Sequence, residues 1–244
     1  PDPSWVADLP GWWRPGPLAW YPVRTLVVVP TYNEADNIVA FLTAVRGSAP
    51  DADILVVDDN SPDGTADVAD AMATELGHIE VLRRPGKAGL GNAYRAAFTI
   101  GLARGYDILV QIDADLSHDP SIIPQMLAAL SSANVVIGSR YCQSQSNVEN
   151  WSRRRLFISR VATALVRACT GANVTDPTAG FRCWNAALLR RMDLDQVRAG
   201  GFAFLYELLF HARRAGAVGR GIARLTWRKA SWGPTWSATS RSSG

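Results

Sequence analysis

The chain has 244 residues, of which 48% are apolar and 19% are charged, and its formal net charge is +3. This composition is typical of a globular protein with its own core, and it excludes a disordered chain. The small positive excess suits anionic substrates or an anionic membrane surface, but it is too weak to indicate nucleic acid. No apolar run is long enough to span a membrane, and three widely spaced cysteines form neither a zinc pattern nor a disulfide framework. A reduced, cytoplasmic protein is therefore the simplest interpretation.

Residues 1–24 form an N-terminal arm that is rich in proline and tryptophan. Proline at this density prevents regular strand pairing, so we expect an extended arm or a linker from an upstream region. An anchor at a membrane interface is the alternative, because tryptophan favours the headgroup layer.

From Thr25 onward, short apolar runs alternate with helix-like segments. The predicted strands cover residues 25–29, 53–57, 79–82, the run that ends at Asp113, and 134–137. Predicted helices between them include residues 66–76, residues 92–103 and a segment from Ser121. Strands that alternate with helices at this spacing predict an α/β fold with a doubly wound, mostly parallel sheet.

Polar residues follow these strands at the point where each strand ends. The carboxyl ends of parallel strands open on one edge of a sheet, which is where open α/β sheets bind their ligands. We therefore expect these side chains to meet at one edge: Tyr32, Asn33, Glu34, Asp58, Asp59, Asp113, Asp115, Ser139 and Arg140.

Asp113 and Asp115 directly follow a buried strand. Two neighbouring carboxylates raise the cost of ionising each other, so they are poor choices for stability alone. A hard cation with oxygen ligands, usually shared with the phosphates of a substrate, removes that conflict. The pattern predicts a metal–diphosphate site, with a solvated strand end as the alternative.

Two further segments carry positive charge near this edge. The loop 85–91 offers backbone amides at a helix start together with Lys87, which suits a phosphate group. Its glycine spacing fits neither the dinucleotide fingerprint nor the Walker pattern, and a flexible connection is the alternative. Arg140 could clamp a diphosphate or be a surface arginine.

The second half of the chain contains an arginine-rich helix over about residues 150–170. Arg153, Arg160 and Arg167 recur on one face of it, which is either solvated or able to bind lipid phosphates. Residues 174–182 are too rich in turn-forming residues for a core element. They carry Asp176 and Arg182, which suggests an ion pair.

The segment 201–210 is predicted to be an apolar helix, and it contains Glu207. A carboxylate in such a setting should be paired or functional, because burying an unpaired charge is costly.

Seven motifs occur in order between residues 27 and 182: VVVPTYNEADNI, VVDDNSPDGT, GKAGLGNAYRAAF, QIDADLSHDP, GSRY, NWSRRRLFISR and VTDPTAGFR. Over about residues 25–215 the chain resembles the inverting GT-A glycosyltransferases of family 2, and among them the polyprenol-phosphate (dolichol-phosphate) mannose synthases. The resemblance implies a GT-A nucleotide-sugar transferase fold. It also implies transfer of mannose from GDP-mannose to a polyprenyl phosphate, with inversion.

The same resemblance suggests three regions: the arm 1–24, a GT-A domain over 25–217, and an atypical tail over 218–244. In the family a strand and an Arg-x-x-Gly-x-Ser-Lys loop usually follow the domain's last helix. Here Arg228, Lys229 and Gly233 do not have that spacing, and the tail shows neither helical nor strand period. A divergent tail, a truncation and a change of reading frame near residue 218 are the alternatives for this segment, and disorder is a further interpretation.

The resemblance also implies roles for individual residues. The diphosphate and its Mg²⁺ or Mn²⁺ would be held around Asp113, Ala114 and Asp115, with Asp115 as the principal ligand. Ser117 stands where family members often carry a glutamine that binds the metal. The remaining residues expected at the nucleotide sugar are Pro30, Tyr32, Glu34, Val57, Asp59, Lys87 and Arg140.

The catalytic residues implied by the resemblance are Asp115, Arg140 and Arg155. For the acceptor phosphate we expect contacts from Ser139, Arg140, Arg155 and Arg182. A lipid phosphate is already ionised near neutral pH, so it needs no dedicated base. The enzyme must provide alignment and neutralise the departing diphosphate.

The expected partners are GDP-mannose, polyprenyl phosphate, a membrane surface, and a membrane-spanning partner or upstream domain, but no nucleic acid. The expected location is cytoplasmic and peripheral, at the inner face of the cell membrane. A transferase that uses a UDP-sugar (glucose or an aminosugar) is the alternative within the class. An aspartate-dependent phosphohydrolase and a non-catalytic nucleotide-binding module are alternatives from other classes.

Overall fold

The computed structural model describes residues 23–139, 179–201, 203–217 and 222–226. The strands of this part are β1 (Thr25–Thr31), β2 (Asp53–Asp58), β3 (Ile79–Arg83), β4 (Ile108–Gln111), β5 (Val135–Ser139), β6 (Arg182–Asn185) and β7 (Ile222–Thr226). They form one sheet in the order β3-β2-β1-β4-β6-β5-β7. Its strands run parallel except for β6, which is antiparallel to β4 and β5.

The helices cover both faces of this sheet. They are α1 (Ala35–Ser48), α2 (Thr65–Leu76), α3 (Leu90–Ala103), α4 (Ile123–Ala129), α5 (Ala186–Arg191) and α6 (Ala203–Arg214), with 3₁₀ turns at Pro120–Ile122 and Leu194–Gln196. Helices α1, α2 and α4 pack on one face, and α3, α5 and α6 pack on the other. The predicted doubly wound, mostly parallel α/β sheet is therefore confirmed.

Strand β1 shows why this fold follows from continuous apolar runs. Leu26 and Val28 face the layer that contains α3, whereas Val27 and Val29 face the layer that contains α1. All four side chains are buried. Burying one such side chain contributes about 1.5–3 kcal/mol, so a central strand with both faces covered is apolar at every position.

Strand β6 corrects the sequence analysis, which placed no strand after the turn-rich segment 174–182. The structure inserts Arg182–Asn185 between β4 and β5, near the centre of the sheet. Trp184 is fully buried there, and its Nε1 donates a hydrogen bond to Gln111 Oε1 at 3.2 Å. Four residues are too few to show a strand period, and the two neighbouring strands supply the hydrogen bonds that make this segment a strand.

Strand β7 is a second correction. The sequence predicts a tail without helical or strand period here, but residues 222–226 pair in parallel with β5 at the edge of the sheet. Strand β7 follows the predicted domain boundary at residue 217, yet it belongs to the same sheet as the strands before that boundary. Pairing with β5, rather than any period of its own, defines this strand.

Several predicted segments lie outside the described residues: most of the arm 1–24, the arginine-rich helix around 150–170, and the tail apart from β7. Among the helices that are described, none combines the length and the apolar character that a membrane span requires.

Candidate active site

A cavity of about 280 Å³ opens at the carboxyl edge of the sheet, where β1, β2 and β4 end and α3 begins. It brings together most of the residues predicted to hold a nucleotide sugar: Pro30, Tyr32, Glu34, Asp59, Lys87, Asp113, Ala114 and Asp115. Thr31, Gly89, Leu90 and Ala93 complete the lining. Val57 instead lies buried in the core beneath the end of β2. Arg140 lies outside the described residues.

Asp58 and Asp59 end β2 with different partners. The Asp58 carboxylate is buried and accepts hydrogen bonds from Thr31 Oγ1 at 2.9 Å and from the Ser61 backbone N–H at 2.8 Å. The Asp59 carboxylate accepts hydrogen bonds from Arg84 Nη1 at 2.6 Å and from the Ala88 backbone N–H at 3.1 Å. Asp58 therefore ties β2 to β1, while Asp59 holds the loop before α3 against the cavity.

Tyr32 and Lys87 form one wall of the cavity together. The Lys87 Nζ atom lies 3.7 Å from the centre of the Tyr32 ring, within the range of a cation–π contact. This contact places a positive charge and an aromatic face side by side. The two chemistries suit the phosphates and the base of a nucleotide.

Glu34 lines the cavity just after a bend in the chain between β1 and α1. Asn33 has a φ of 61°, in the left-handed region that asparagine tolerates better than most residues. The Glu34 backbone N–H then donates to Thr65 Oγ1 at 2.9 Å, and its Oε2 accepts from Asn37 Nδ2 at 2.8 Å. The carboxylate is thus oriented by the first turn of α1.

Asp113 is half-buried, and both of its oxygens have close neighbours. Tyr94 Oη donates a hydrogen bond to Asp113 Oδ1 at 2.7 Å, while a Cβ atom on Gly180 would lie only 2.5 Å from Asp113 Oδ2. Burial raises the pKa of Asp113; the Tyr94 hydrogen bond lowers it, the charge of Asp115 raises it again, and the result is a raised pKa. The ionised form of Asp113 is therefore disfavoured by burial and by the neighbouring charge of Asp115.

Asp115 is exposed at the mouth of the cavity. Its Oδ1 accepts a hydrogen bond from the Ser117 backbone N–H at 2.9 Å, and Leu116 between them takes a left-handed φ of 57°. The structure thus shows Ser117 orienting Asp115 through its backbone. A metal contact from the Ser117 hydroxyl stays a prediction.

The donor set fits a divalent cation that is shared with a substrate. Asp113 and Asp115 line the same cavity and offer the oxygen ligands that Mg²⁺ and Mn²⁺ accept. Within the described residues, no group of three or more His, Cys, Asp or Glu side chains is placed to cage a metal. Two carboxylates without a cage suit an ion whose remaining ligands come from phosphates and water.

Sequence reasoning missed Tyr94 and Gly180, which flank Asp113 from α3 and from the segment before β6. Tyr94 lies in one of the recognised motifs, but its position on an apolar helix face predicts only core packing. A buried tyrosine usually needs a partner for its hydroxyl, which is the one signal that pointed to a nearby polar group.

Arg182, predicted at the acceptor phosphate, is fully buried in β6. Its Nε donates to the Ala179 carbonyl at 2.9 Å, and its Nη1 donates to the Leu205 carbonyl at 2.8 Å. Its positive charge also lowers the pKa of Asp113. The structure shows a side chain that joins β6 to α6, and contact with an acceptor phosphate stays a prediction.

The other predicted residues are placed as follows. Glu207 Oε2 accepts a hydrogen bond from the Ala199 backbone N–H at 2.7 Å, so the expected partner for this carboxylate is confirmed. Ser139 is the last residue of β5, at the carboxyl edge, and its backbone lies opposite Thr226 of β7. Arg155 and Asp176 lie outside the described residues.

Comparison with known proteins relates this chain to a protein family by sequence and to solved structures by fold. The family model for Glycosyl transferase family 2 matches residues 26–198. An undecaprenyl-phosphate mannosyltransferase from Micrococcus luteus is 44% identical over 194 residues, which cover 80% of this chain and 79% of that protein. A polyprenol monophosphomannose synthase from Mycolicibacterium smegmatis is 42% identical over 191 residues, which cover 78% of this chain and 72% of that protein.

The solved structure of mannosyl-3-phosphoglycerate synthase from Rubrobacter xylanophilus has the same fold. It matches with a TM-score of 0.64 at 20% identity, over 84% of this chain and 65% of that one. At this identity the likeness concerns the fold alone, and it confirms the GT-A architecture that the motifs predicted. Because the family model covers most of the chain and two relatives exceed 40% identity, the chain belongs to glycosyl transferase family 2.

Proposed function

We propose that the protein transfers mannose from GDP-mannose to a polyprenyl phosphate with inversion, as a metal-dependent glycosyltransferase. The observation that carries the proposal is the meeting of Asp113, Asp115, Asp59, Lys87 and Tyr32 in one cavity at the carboxyl edge. The names of the two relatives, a mannosyltransferase and a mannose synthase acting with polyprenyl-type lipids, support the choice of sugar and acceptor.

In the proposed complex, the base, ribose and diphosphate of the donor would each lie beside side chains whose chemistry suits them. Tyr32, Glu34 and Asp59 lie where β1 and β2 end, and they would hold the base and ribose. Lys87 beside Tyr32 would face the negative charge of the diphosphate. Arg84 acts indirectly, since its ion pair holds Asp59 in place.

Asp113 and Asp115 would hold Mg²⁺ or Mn²⁺ together with the diphosphate. When bound, the ion neutralises charge on the departing nucleoside diphosphate. The chain's own contribution is to hold the two carboxylates in one orientation, Asp113 between Tyr94 and Gly180, and Asp115 on the Ser117 backbone N–H.

The acceptor phosphate needs no general base, because its attacking oxygen is ionised near neutral pH. The protein therefore accelerates the reaction by aligning two bound anions and compensating their charge. Both a water-soluble donor and a membrane-embedded acceptor must reach one cavity. We accordingly place the enzyme peripherally at the cytoplasmic face of the cell membrane.

Lipid-product assays test the proposal directly. The purified chain is incubated with Mg²⁺ or Mn²⁺, a polyprenyl phosphate in detergent micelles, and radiolabelled GDP-mannose, UDP-glucose or UDP-N-acetylglucosamine. We expect labelled, organic-extractable lipid from GDP-mannose only, and loss of product when EDTA removes the metal. A preference for a UDP-sugar would replace the proposed donor.

Two further measurements, phosphate release and nucleotide binding, separate the alternatives from other classes. A phosphohydrolase would release inorganic phosphate from phosphomonoesters without a nucleotide sugar. A non-catalytic nucleotide-binding module would bind GDP or UDP and form no lipid product. Either result would contradict the proposed transfer.

A further inference from the structure

We infer that Tyr94 is a positioning residue that fixes the Asp113 carboxylate for the metal–diphosphate site, and that Gly180 leaves the space this orientation requires. The inference rests on the proposed function, because it assigns the orientation of one carboxylate of that site to two residues with no other assigned role.

The Tyr94 ring is held rigidly, so its hydroxyl has a fixed direction. Tyr94 is fully buried on α3. Its ring stacks on Phe204 of α6, with centroids 6.0 Å apart and planes 1° apart, and Phe98 packs against it with a centroid distance of 5.9 Å. Packing between these aromatic neighbours restrains the ring with its hydroxyl directed at Asp113.

The hydroxyl uses this fixed direction to hold one oxygen of Asp113. Tyr94 Oη donates to Asp113 Oδ1 at 2.7 Å, a distance typical of a hydrogen bond to a carboxylate. The hydrogen bond therefore joins the confined Tyr94 ring to one oxygen of the Asp113 carboxylate.

Gly180 constrains the other oxygen of the same carboxylate. A Cβ atom at position 180 would lie 2.5 Å from Asp113 Oδ2, closer than a carbon and an oxygen can approach without displacement. The carboxylate can take its observed orientation only while residue 180 has no side chain. Residues from α3 and from the segment before β6 thus define the positions of the two oxygens independently.

This arrangement matters because Asp113 and Asp115 repel each other when no cation lies between them. A carboxylate that must bind a metal is usually oriented by a hydrogen bond from a neighbouring residue, and loss of such a bond typically lowers metal affinity or activity about 10–100-fold. Tyr94 is placed to provide that bond.

The test compares Tyr94→Phe with a matched control, Tyr106→Phe. Tyr106 is also buried, and its hydroxyl also donates to an aspartate, Asp53 Oδ2, at 2.7 Å. Asp53 begins β2, at the edge of the sheet opposite the cavity. Both variants remove one tyrosine–aspartate hydrogen bond of equal length, but only one of those aspartates lies in the candidate site.

The measurements are titration calorimetry of GDP binding with Mn²⁺ and with EDTA, bound Mn²⁺ by electron paramagnetic resonance, and the urea midpoint of unfolding. We expect Tyr94→Phe to weaken Mn²⁺-dependent GDP binding about 10-fold or more and to leave binding in EDTA unchanged. Tyr106→Phe should change both affinities less than about 2-fold, with a comparable loss of stability.

Gly180→Ala provides a second variant, with Gly47→Ala as its control because a Cβ there meets no atom within 4 Å. We expect Gly180→Ala to reproduce the metal-specific loss and Gly47→Ala to bind normally. Equal Mn²⁺-dependent binding by the wild type and Tyr94→Phe would overturn the role of Tyr94 and leave the proposed function intact. A wild-type chain without metal-dependent binding of GDP or UDP would overturn both.

Discussion

Asp58, Asp59, Asp113 and Asp115 illustrate how neighbouring carboxylates acquire different functions. Asp58 is fully engaged with Thr31 and Ser61 away from the cavity lining. The other three line the cavity, but Asp59 is paired with Arg84 and Asp113 is held by Tyr94, whereas Asp115 is exposed. Hydrogen-bond partners and exposure, rather than residue type, identify Asp115 as the carboxylate most available to an incoming cation.

We predict that Asp115→Asn lowers mannosyl transfer roughly 100-fold or more, because removing one charge that stabilises the transition state has effects of this size. Asp119→Asn is the matched control, since each carboxylate accepts a 2.9 Å hydrogen bond from the backbone N–H two residues later. Turnover numbers at saturating metal measure the effect. Similar rates for Asp115→Asn and Asp119→Asn would refute the assignment.

Arg84 and Arg83 offer a second comparison at single residues. Arg84 pairs with Asp59 at 2.6 Å with both side chains largely buried, whereas Arg83 pairs with Asp67 and Asp70 in exposed positions. Arg84→Met leaves a buried carboxylate without its charged partner, so we expect a loss of about 3 kcal/mol in the free energy of unfolding. Arg83→Met should cost much less, because exposed ion pairs contribute little to stability. Urea unfolding distinguishes the two outcomes, and equal effects would show that burial does not control the strength of the pair.

Helix α6 links the core to the cavity through α3. Phe204 near its start stacks on Tyr94, and Arg182 of β6 donates to the Leu205 carbonyl. The absence of a side chain at Gly91 lets α3 approach this region, because a Cβ there would lie 3.0 Å from the Ala199 carbonyl oxygen and from Phe204. The position of Tyr94 therefore depends on how α6 packs.

We predict that Phe204→Ala costs about 3–5 kcal/mol of unfolding free energy, because it leaves a cavity in a fully buried aromatic cluster. Phe210→Ala on the same helix should cost less than about 1 kcal/mol, since Phe210 is 40% exposed. Equilibrium unfolding in urea measures both variants. A comparable loss for Phe210→Ala would mean that its contacts with Arg214 and His211 carry more weight than its exposure suggests.

Strand β6 supplies a chemical probe of the sheet interior. Cys183 is fully buried at its centre, paired with Val110 on one side and Val136 on the other. Burial raises the pKa of the Cys183 thiol, so little reactive thiolate forms. We predict that iodoacetamide leaves Cys183 unmodified in the folded protein and modifies it in urea, as peptide mass mapping will show. Modification under native conditions would mean that β6 separates readily from β4 and β5.

Across the whole molecule, carboxylates connect elements that are distant in sequence. Asp53 at the start of β2 accepts hydrogen bonds from Tyr106 Oη and lies 3.0 Å from His78 Nδ1, which joins β2 to the segments before β3 and β4. Burial raises the pKa of Asp53, but the hydrogen bonds from Tyr106 and His78 outweigh it and hold the pKa below its ordinary value.

A carboxyl group whose pKa is lower in the folded state stabilises the protein above its unfolded pKa, and that stability is lost as the pH falls through the folded pKa. We predict that the wild type is more stable than Asp53→Asn by about 1 kcal/mol at pH 5. The difference should disappear as the pH drops below about 4, the ordinary aspartate value. Urea midpoints between pH 5 and pH 3 test this, and a difference that grows as the pH falls through this range would contradict the predicted sign.

Much of the fold follows from the sequence because its central strands are buried on both faces. Such strands appear as continuous apolar runs, and the predicted strands over 25–29, 53–57 and 134–137 each overlap an observed strand. The prediction over 79–82 overlaps β3, which is a partly buried strand at the edge of the sheet. Polar residues that follow β1, β2 and β4 line one cavity, because parallel strands bring their carboxyl ends to the same edge: Tyr32, Glu34, Asp59, Asp113 and Asp115.

The sequence by itself therefore determined the α/β class, the family and most of the cavity lining, since each rests on local patterns or ordered motifs. Only the tertiary structure decided the insertion of β6 between β4 and β5, the addition of β7, and the contacts of Tyr94 and Gly180 with Asp113. Short strands have no period of their own, and a buried hydroxyl does not specify its partner from sequence. Both are defined by distant neighbours that folding brings into contact.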